Sequence, residues 1–575
     1  MTNRNGRKDE EEPEMMTQEK ANRFNKFFAT IGSEIQKKLG KTDDTEQEGS
    51  TNIDRSTKPF NFKYETTSTI EKLIDKIRIE VATGEDNIPA RLLKDMKFTI
   101  SPILTKLVNK GYDVDVFPSC MKKAEIKPIY KKGDVDDITN YRPISILNLI
   151  SKIIERPAAD QMTTYLEENK RLSKNQHAYR KRHSTVTCLV ELVNKIYKLI
   201  ENKKFSAVVS LDLSKAFDSI SHKLILKKLA KLGMADKTIK WVKSYLTNRK
   251  QITKFKNYKS TQAEVKSGIP QGSIMGPLLF ICFTNDLHEV FKDECSISAY
   301  ADDTQLLVEA NSMAQLKKQV EKVISLAQKW YQANSMKNNI GKTEIMVVNK
   351  NKKNESLKVN VMEEGKQITI ESKLSIKILG VTLDSNLNWR KQVNEVKKKA
   401  QNTTRNVNRI NHLLPTQQRM HLYNALISPH FNYADVVWGG CGKKESLSLQ
   451  KVQNFAARSI TGNRKMDSAT ASLKKLNLLK LDQRRKIHET VFTHKALLKQ
   501  NSENMNQEYM KYVPQTNTRY ANNGKLNLPK HKQTKFEKSP LYRTITSWNA
   551  CPKNLPQDNV KQHKIQLQKH LISMI

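Results

Sequence analysis

Residues 295–310 read CSISAYADDTQLLVEA. A short apolar run, two adjacent carboxylates and a second apolar run form the pattern of a β-hairpin with Asp302 and Asp303 at its tight turn. Adjacent Asp side chains repel each other, so folding alone gives no reason to place them side by side. A divalent cation removes the repulsion. Hard oxygen donors on a rigid turn suit Mg²⁺, which is typically held by one or two carboxylates plus substrate phosphates. On its own such a pair would read as a solvated Asp-Asp turn, and the surrounding sequence has to decide.

A third carboxylate lies upstream, in FSAVVSLDLSKAFDSISH, residues 205–222. Residues 207–211 read as a buried strand that ends at Asp212, and Phe217 and Asp218 follow. Two-metal phosphoryl transfer needs carboxylates from separate elements around ions about 3.5–4 Å apart. Asp212 and the Asp302–Asp303 turn can supply them from two neighbouring strands. Between them lies VKSGIPQGSIMGPLLF, residues 265–280, whose Gly268, Pro270, Gly272, Gly276 and Pro277 make a tight loop leading into an apolar helix. Such a loop lets a nucleotide or a template strand approach the main chain closely.

LDLSKAFD, GIPQGS and YADD, in this order, resemble the palm motifs of reverse transcriptases, and most closely those of the non-LTR (LINE-type, jockey-like) retrotransposon group. The resemblance continues through TGEDNIP (83–89), IKPIYKKGDVDDITNYRPISIL (126–147), NQHAYRKRHSTVTCL (175–189), KWYQANSMKNNIGKTEIMV (329–347) and IKILGVTLDSNLNW (376–389). YADVVWGG (433–440) and SWNACPKNLP (547–556) are typical of the group's tail, so the match covers most of residues 20–556. The chain departs from the family at Ala178, where a glycine is usual, and near Arg182, where another is common; both changes imply a stiffer loop.

The resemblance implies an α+β, right-hand polymerase of fingers, palm and thumb, with an antiparallel palm sheet and a helical C-terminal extension. It implies an RNA-directed DNA polymerase that joins a primer 3′-hydroxyl to the α-phosphorus of a dNTP, with an RNA template and a DNA primer as partners. Asp212 and Asp302 are expected to hold two Mg²⁺ ions, with Mn²⁺ as a possible substitute, and Asp303 is carried over as the third acid. Phe217 matches the steric gate, an aromatic beneath the sugar that clashes with a 2′-hydroxyl, the group that separates RNA from DNA precursors; otherwise it is a core Phe. Gln271 and Gly272 match the loop lining the nascent base pair. Lys131 and Arg142 resemble a basic pair that clamps triphosphate oxygens, Arg with its fixed fork and Lys as a point charge. Lys127 or Lys132 could take the lysine's place. Lys342 is either a general acid for the leaving pyrophosphate or a surface lysine. Asp218 is a salt bridge, a cap or part of the site.

Composition agrees with a polyanionic partner. Lys and Arg outnumber Asp and Glu by 100 to 59, a net charge of +41 over 575 residues. That excess argues for nucleic acid or an anionic surface, not for a fold. No long uncharged apolar run and no signal peptide are evident, so a membrane partner is not expected and the nucleus or cytoplasm is the expected location. Cys120, Cys188, Cys282, Cys295, Cys441 and Cys551 lack paired spacing, which suggests reduced thiols and no zinc knuckle.

Along the chain, residues 1–58 divide into a polar segment expected to be disordered, an amphipathic helix carrying Phe24, Phe27, Phe28, Ile31, Ile35 and Leu39, and a polar linker. Residues 59–200 read as fingers and N-terminal extension, mostly helical with a strand pair near 124–130, and 201–350 as palm. The helix at 312–333 has the spacing of a capping box in Ser312 and Gln315. Residues 351–412 read as the palm end and a thumb helix with Val393, Val396, Ala400, Val407 and Ile410 on one face. Lys397, Lys398 and Lys399 lie largely outside that stripe, either as a solvated face or as phosphate contacts to a duplex. Residues 413–575 read as a helical extension and a polar tail, with helix returning near 558–575. The residues ahead of the polymerase motifs are too few for an apurinic-type endonuclease, so that domain is expected to be absent from this chain. The competing readings are a remnant that binds nucleic acid without catalysis, and a different metal-dependent nuclease or transferase.

Overall fold

The computed structural model describes residues 14–38, 58–348, 356–363, 365–516, 524–552 and 554–574. The chain forms two compact units woven from separate stretches. The first comprises residues 1–173, 213–290 and 326–339, and the second residues 174–212, 291–325 and 340–575.

The first unit is built on a mixed sheet. Strand Tyr141–Leu147 pairs antiparallel with Lys123–Tyr130, which runs parallel to Arg249–Phe255; Tyr258–Lys259 and Ala263–Val265 both pair with that last strand. The strand pair expected near 124–130 is therefore present. Helix Glu14–Lys38 docks on this sheet, with Phe24 and Phe28 packed among Ala124, Ile126, Tyr141 and Leu147. This matches the amphipathic reading. Leu39, the polar segment to residue 13 and most of the expected linker lie outside the described residues.

The second unit holds a four-stranded antiparallel sheet in the order Glu344–Val348, Phe205–Leu211, Asp303–Ala310, Ser296–Tyr300. Val208, Leu307 and Met346 from three of its strands join one large apolar core with helix Thr185–Glu201 and the C-terminal helices. The sheet is antiparallel, as expected, and the hairpin and the buried strand ending at Asp212 are both observed.

Several helices follow their sequence signals. Ser312 accepts the Gln315 N–H at 3.2 Å, but the Gln315 side chain reaches the N–H of Asn311, one residue before the expected partner. Helix Arg390–Ile410 buries Val393, Val396, Ala400 and Val407. Ile410 departs from the stripe and is 44% exposed, because a 3₁₀ turn, Asn411–Leu413, takes over at that point. The entry of this helix explains the run LDSNLNW: the Asp384 carboxylate accepts the N–H groups of Asn388 (3.0 Å) and Trp389 (2.8 Å).

The tail motifs are structural in the same sense. Tyr433 donates to the Leu379 carbonyl at 2.6 Å, Trp438 donates to the Tyr433 carbonyl, and Asp435 pairs with His488 at 2.6 Å. Helix Leu481–Leu497 packs against helices Pro540–Asn549 and Val560–Ser573. The last was expected; Pro540–Asn549 and Glu503–Met510 were not. All six cysteines are unpaired. Among the described residues no helix is long and apolar enough to cross a membrane.

Candidate active site

In the second unit, Tyr300 pairs with Asp303, leaving Ala301 and Asp302 as the two residues of a tight hairpin turn. Ala301 supplies the left-handed conformation the turn needs, with φ 56°, which suits a tight hairpin loop. Asp302 is half-buried and Asp303 exposed. On the neighbouring strand Leu211 pairs with Thr304. Asp212, one residue past Leu211, and Asp303, one before Thr304, therefore stand at the same end of two paired strands.

The turn is held from outside the sheet by a residue whose role the sequence did not disclose. Gln176, 3% exposed, accepts the N–H groups of Ala301 and Ala178 through Oε1, both at 3.0 Å. On either side of Gln176, His177 donates to the Ala299 carbonyl at 2.8 Å, and Ala299 donates to the Asn175 carbonyl at 2.9 Å. The motif around residue 176 thus acts as a clip on the edge strand that leads into the acids. His177 lies against Glu191, and Lys195 pairs with Glu191 at 3.0 Å. Burial would raise the Glu191 carboxyl, but the hydrogen bond from His177 and the charge of Lys195 hold it below its ordinary range. Ala178 is fully buried and is not left-handed; Tyr179 and Arg182 are, with φ 58° and 65°. A glycine near position 182 would relieve that conformation.

Asp212 Oδ2 is shut off from solvent and accepts no hydrogen bond. The Lys342 ammonium lies 3.3 Å from it. Asp212 thus has an ion-pair partner but no hydrogen-bond donor on this oxygen, and with Asp302 and Asp303 at the same strand end it offers hard carboxylate oxygens of the kind that suits Mg²⁺. Among the described residues no three His, Cys, Asp or Glu side chains are already gathered as a ligand cluster. Mg²⁺ does not require one, since it takes one or two carboxylates and completes its shell with water and substrate phosphates.

Phe217, Asp218, Gln271, Gly272, Lys131 and Arg142 belong to the first unit. Phe217 is half-buried, and its ring stacks on Phe280 with centroids 4.5 Å apart and planes 13° off parallel. The 217–220 turn is fastened to the glycine loop: Gly268 donates to the Ile220 carbonyl and Ile269 to the Phe217 carbonyl, both at 2.9 Å. Gln271 donates from Nε2 to Asp218 Oδ1 at 2.9 Å, and its carbonyl accepts the Ser145 N–H at 2.7 Å. Gly272 has φ 122°, and a Cβ there would stand 2.5 Å from the Ser145 carbonyl oxygen. Only glycine lets this loop lie on the strand.

Asp218 is thus the partner of Gln271 rather than a salt bridge or helix cap. Burial pushes its carboxyl up to about 6, against the opposing effects of the Gln271 hydrogen bond and the charges of Lys215 and Arg142. A second contributor missed in the sequence is Glu155, fully buried, whose Oε2 accepts the N–H groups of Ile274 (2.8 Å) and Met275 (3.2 Å). It caps the start of the apolar helix Met275–Phe283 from another helix.

Arg142 is exposed and sits directly across the hairpin from Ile129. Strand alternation puts Lys127 on the same face as Ile129 and Arg142. Lys131 lies just beyond the strand, tied by its N–H to the Asn140 carbonyl at 3.0 Å, and is exposed. In the second unit Lys397 is half-buried, and Lys398 and Lys399 are exposed on helix Arg390–Ile410.

Comparison with known proteins follows this geometry. Residues 129–383 match the family described as reverse transcriptase (RNA-dependent DNA polymerase). The chain is 27% identical over 411 residues to the RNA-directed DNA polymerase from mobile element jockey of Drosophila melanogaster, covering 69% of this chain and 44% of that protein. It is 27% identical over 409 residues to the probable RNA-directed DNA polymerase from transposon BS of the same species, covering 68% and 44%. It is 26% identical over 396 residues to the probable RNA-directed DNA polymerase from transposon X-element, covering 66% and 42%. The chain therefore spans less than half the length of these curated relatives.

Proposed function

We propose that the protein is an RNA-directed DNA polymerase, a reading supported by the match of residues 129–383 to the reverse transcriptase family and by the similarity to non-LTR retrotransposon polymerases. The observation that carries the reading is the trio of carboxylates at one end of two paired strands, Asp212, Asp303 and Asp302, the last next to the clipped turn residue Ala301. The partners are an RNA template, a DNA primer and dNTPs. The proposed architecture is a right hand, with the antiparallel sheet as palm and helix Arg390–Ile410 in the thumb.

Asp212 and Asp302 are the proposed ligands of two Mg²⁺ ions, and Asp303 adds negative charge beside them. When bound, such ions lower the pKa of the attacking hydroxyl and stabilise charge on the leaving oxygens. The remaining work falls to the protein's own side chains. Phe217, its ring fixed by stacking on Phe280, excludes the 2′-hydroxyl of a ribonucleotide. Arg142 grips triphosphate oxygens with its fork, and Lys131 adds a point charge. The Gln271 side chain is turned toward Asp218 and its carbonyl is taken by Ser145, so this loop acts by fixing the strand and the 217–220 turn that flank the nascent base pair. Lys342 neutralises Asp212 and can deliver a proton to pyrophosphate as it departs. Exposed Lys398 and Lys399 contact the duplex backbone.

The test is extension of oligo(dT) on poly(rA) with dTTP, beside the same primer on poly(dA) and beside UTP. The reading predicts extension on the RNA template with strong preference for dTTP. Activity on neither template, or equal use of UTP, contradicts it.

A further inference from the structure

Helices Arg390–Ile410 and Lys443–Thr461 enclose a groove of about 880 Å³ on the second unit. Lys397 and Arg405 line it from one helix, and Lys444 and Lys451 from the other. No carboxylate lines the groove, and none of these four cations forms an ion pair among the described residues. Four unpaired cations facing one concavity repel each other, a cost that a polyanion removes. Lys397, Gln401 and Arg405 recur every four residues, so they share one helix face about 12 Å long. Lys398 and Lys399 turn away from it. The floor carries Leu447, 61% exposed, and Phe455, 41% exposed, with the amides of Gln401 and Asn454 beside them.

We propose that this groove binds single-stranded nucleic acid, its phosphates on Lys397, Arg405, Lys444 and Lys451 and its unpaired bases on Phe455 and Leu447. A basic groove with an exposed aromatic ring is the arrangement that holds a single strand, because every base has a face to stack. A duplex hides those faces. An anionic bilayer is a plane that cannot enter a concave groove, and it has no use for amides placed to meet base edges. The groove contains none of the residues assigned above to catalysis or to the duplex backbone, so it defines a separate strand site on the same chain.

The test uses the full chain, a fluorescein-labelled oligouridylate, the same strand annealed to oligoadenylate, and phosphatidylserine vesicles. Affinities are read as a function of salt. The double variant Lys444→Glu, Lys451→Glu is compared with Lys358→Glu, Lys366→Glu, an equal charge change on an exposed hairpin of the same unit. The groove pair is expected to weaken the single strand at least tenfold and to flatten the salt dependence by about 1.4, at roughly 0.7 per phosphate contact. The hairpin pair should change affinity less than twofold. Phe455→Ala, at an exposed position, should weaken the single strand about tenfold, within the range of one lost base stack, with the salt slope unchanged. A strand containing 4-thiouridine should crosslink within residues 444–455.

Equal losses from the two charge pairs would overturn the proposal, as would equal losses on duplex and single strand, an effect seen only with vesicles, or crosslinks that map elsewhere. The readout is binding, so a chain that extends no primer leaves the proposal standing, and failure of the groove leaves the polymerase reading standing.

Discussion

Gln176→Leu removes the clip on the acidic turn while keeping the side chain's bulk. Its Oε1 accepts two N–H groups, Ala301 and Ala178, each at 3.0 Å and in a site closed to solvent. Leucine leaves both donors unpartnered, at about 1–3 kcal/mol each, so the folded state loses roughly 2–6 kcal/mol. The loss is concentrated on the residue next to Asp302. A catalytic group displaced by about 1 Å can cost on the order of 100-fold in rate. The variant should therefore show kcat lowered about 30–100-fold, with KM for dTTP changed less than about threefold, since Arg142, Phe217 and Gln271 belong to the other unit. The assay is steady-state extension on poly(rA)/oligo(dT) well below the variant's melting temperature, with the melting curve measured in parallel. A lower melting temperature with kcat within threefold of the parent would show that Gln176 only supports the fold. A rise in KM alone would place its effect on nucleotide binding and refute the positioning argument.

Phe217→Val should relax sugar selection, raising the efficiency of UTP relative to dTTP at least tenfold in single-nucleotide extension; an unchanged ratio would leave Phe217 as a packing partner of Phe280. Asp218 has a folded-state pKa of about 6, above its ordinary value of 3.8. The stability tied to its protonated form is therefore full below about 3.8 and lost as pH rises through about 6. Asp218→Asn keeps the hydrogen bond from Gln271 and should gain up to about 3 kcal/mol over the parent at pH 8, read as a higher urea midpoint at pH 8 and little difference at pH 4. Lys342→Met removes the ammonium beside Asp212, a partly exposed pair worth about 1 kcal/mol. Half-maximal extension should then need about fivefold less Mg²⁺, and an unchanged Mg²⁺ requirement would mean that Lys342 does not compete at Asp212.

The parts of the fold that the sequence disclosed are those set by local pattern. Two apolar runs flanking a pair of carboxylates marked the hairpin around Asp302, an apolar run marked the strand ending at Asp212, and the Ser312–Gln315 spacing marked the start of helix Met313–Ala333. The glycines of residues 268–276 marked a loop whose Gly272 does lie against the Ser145 carbonyl. What stayed hidden depends on partners far away in sequence. Gln176 binds a residue 125 positions on, and Glu155 caps a helix start about 120 positions away. The pairing of Gln271 with Asp218 and of Lys342 with Asp212 leaves no periodic trace either. Ile410 obeyed the apolar stripe yet is exposed, because the stripe does not say where a helix ends. The charge run at 397–399 read as one surface. Helical geometry splits it, with Lys397 lining a groove and its two neighbours facing elsewhere.

The most direct measurement of the central claim is primer extension by Asp302→Asn and Asp212→Asn, beside their affinity for the template–primer duplex. Each substitution keeps the side chain's size and removes one negative oxygen from the proposed ion site. The account predicts that both variants bind poly(rA)/oligo(dT) within about threefold of the parent and fall about 100–1,000-fold in extension rate, the range seen for loss of one charge-stabilising group at a reacting centre. Extension within tenfold of the parent in either variant would contradict the assignment of these carboxylates.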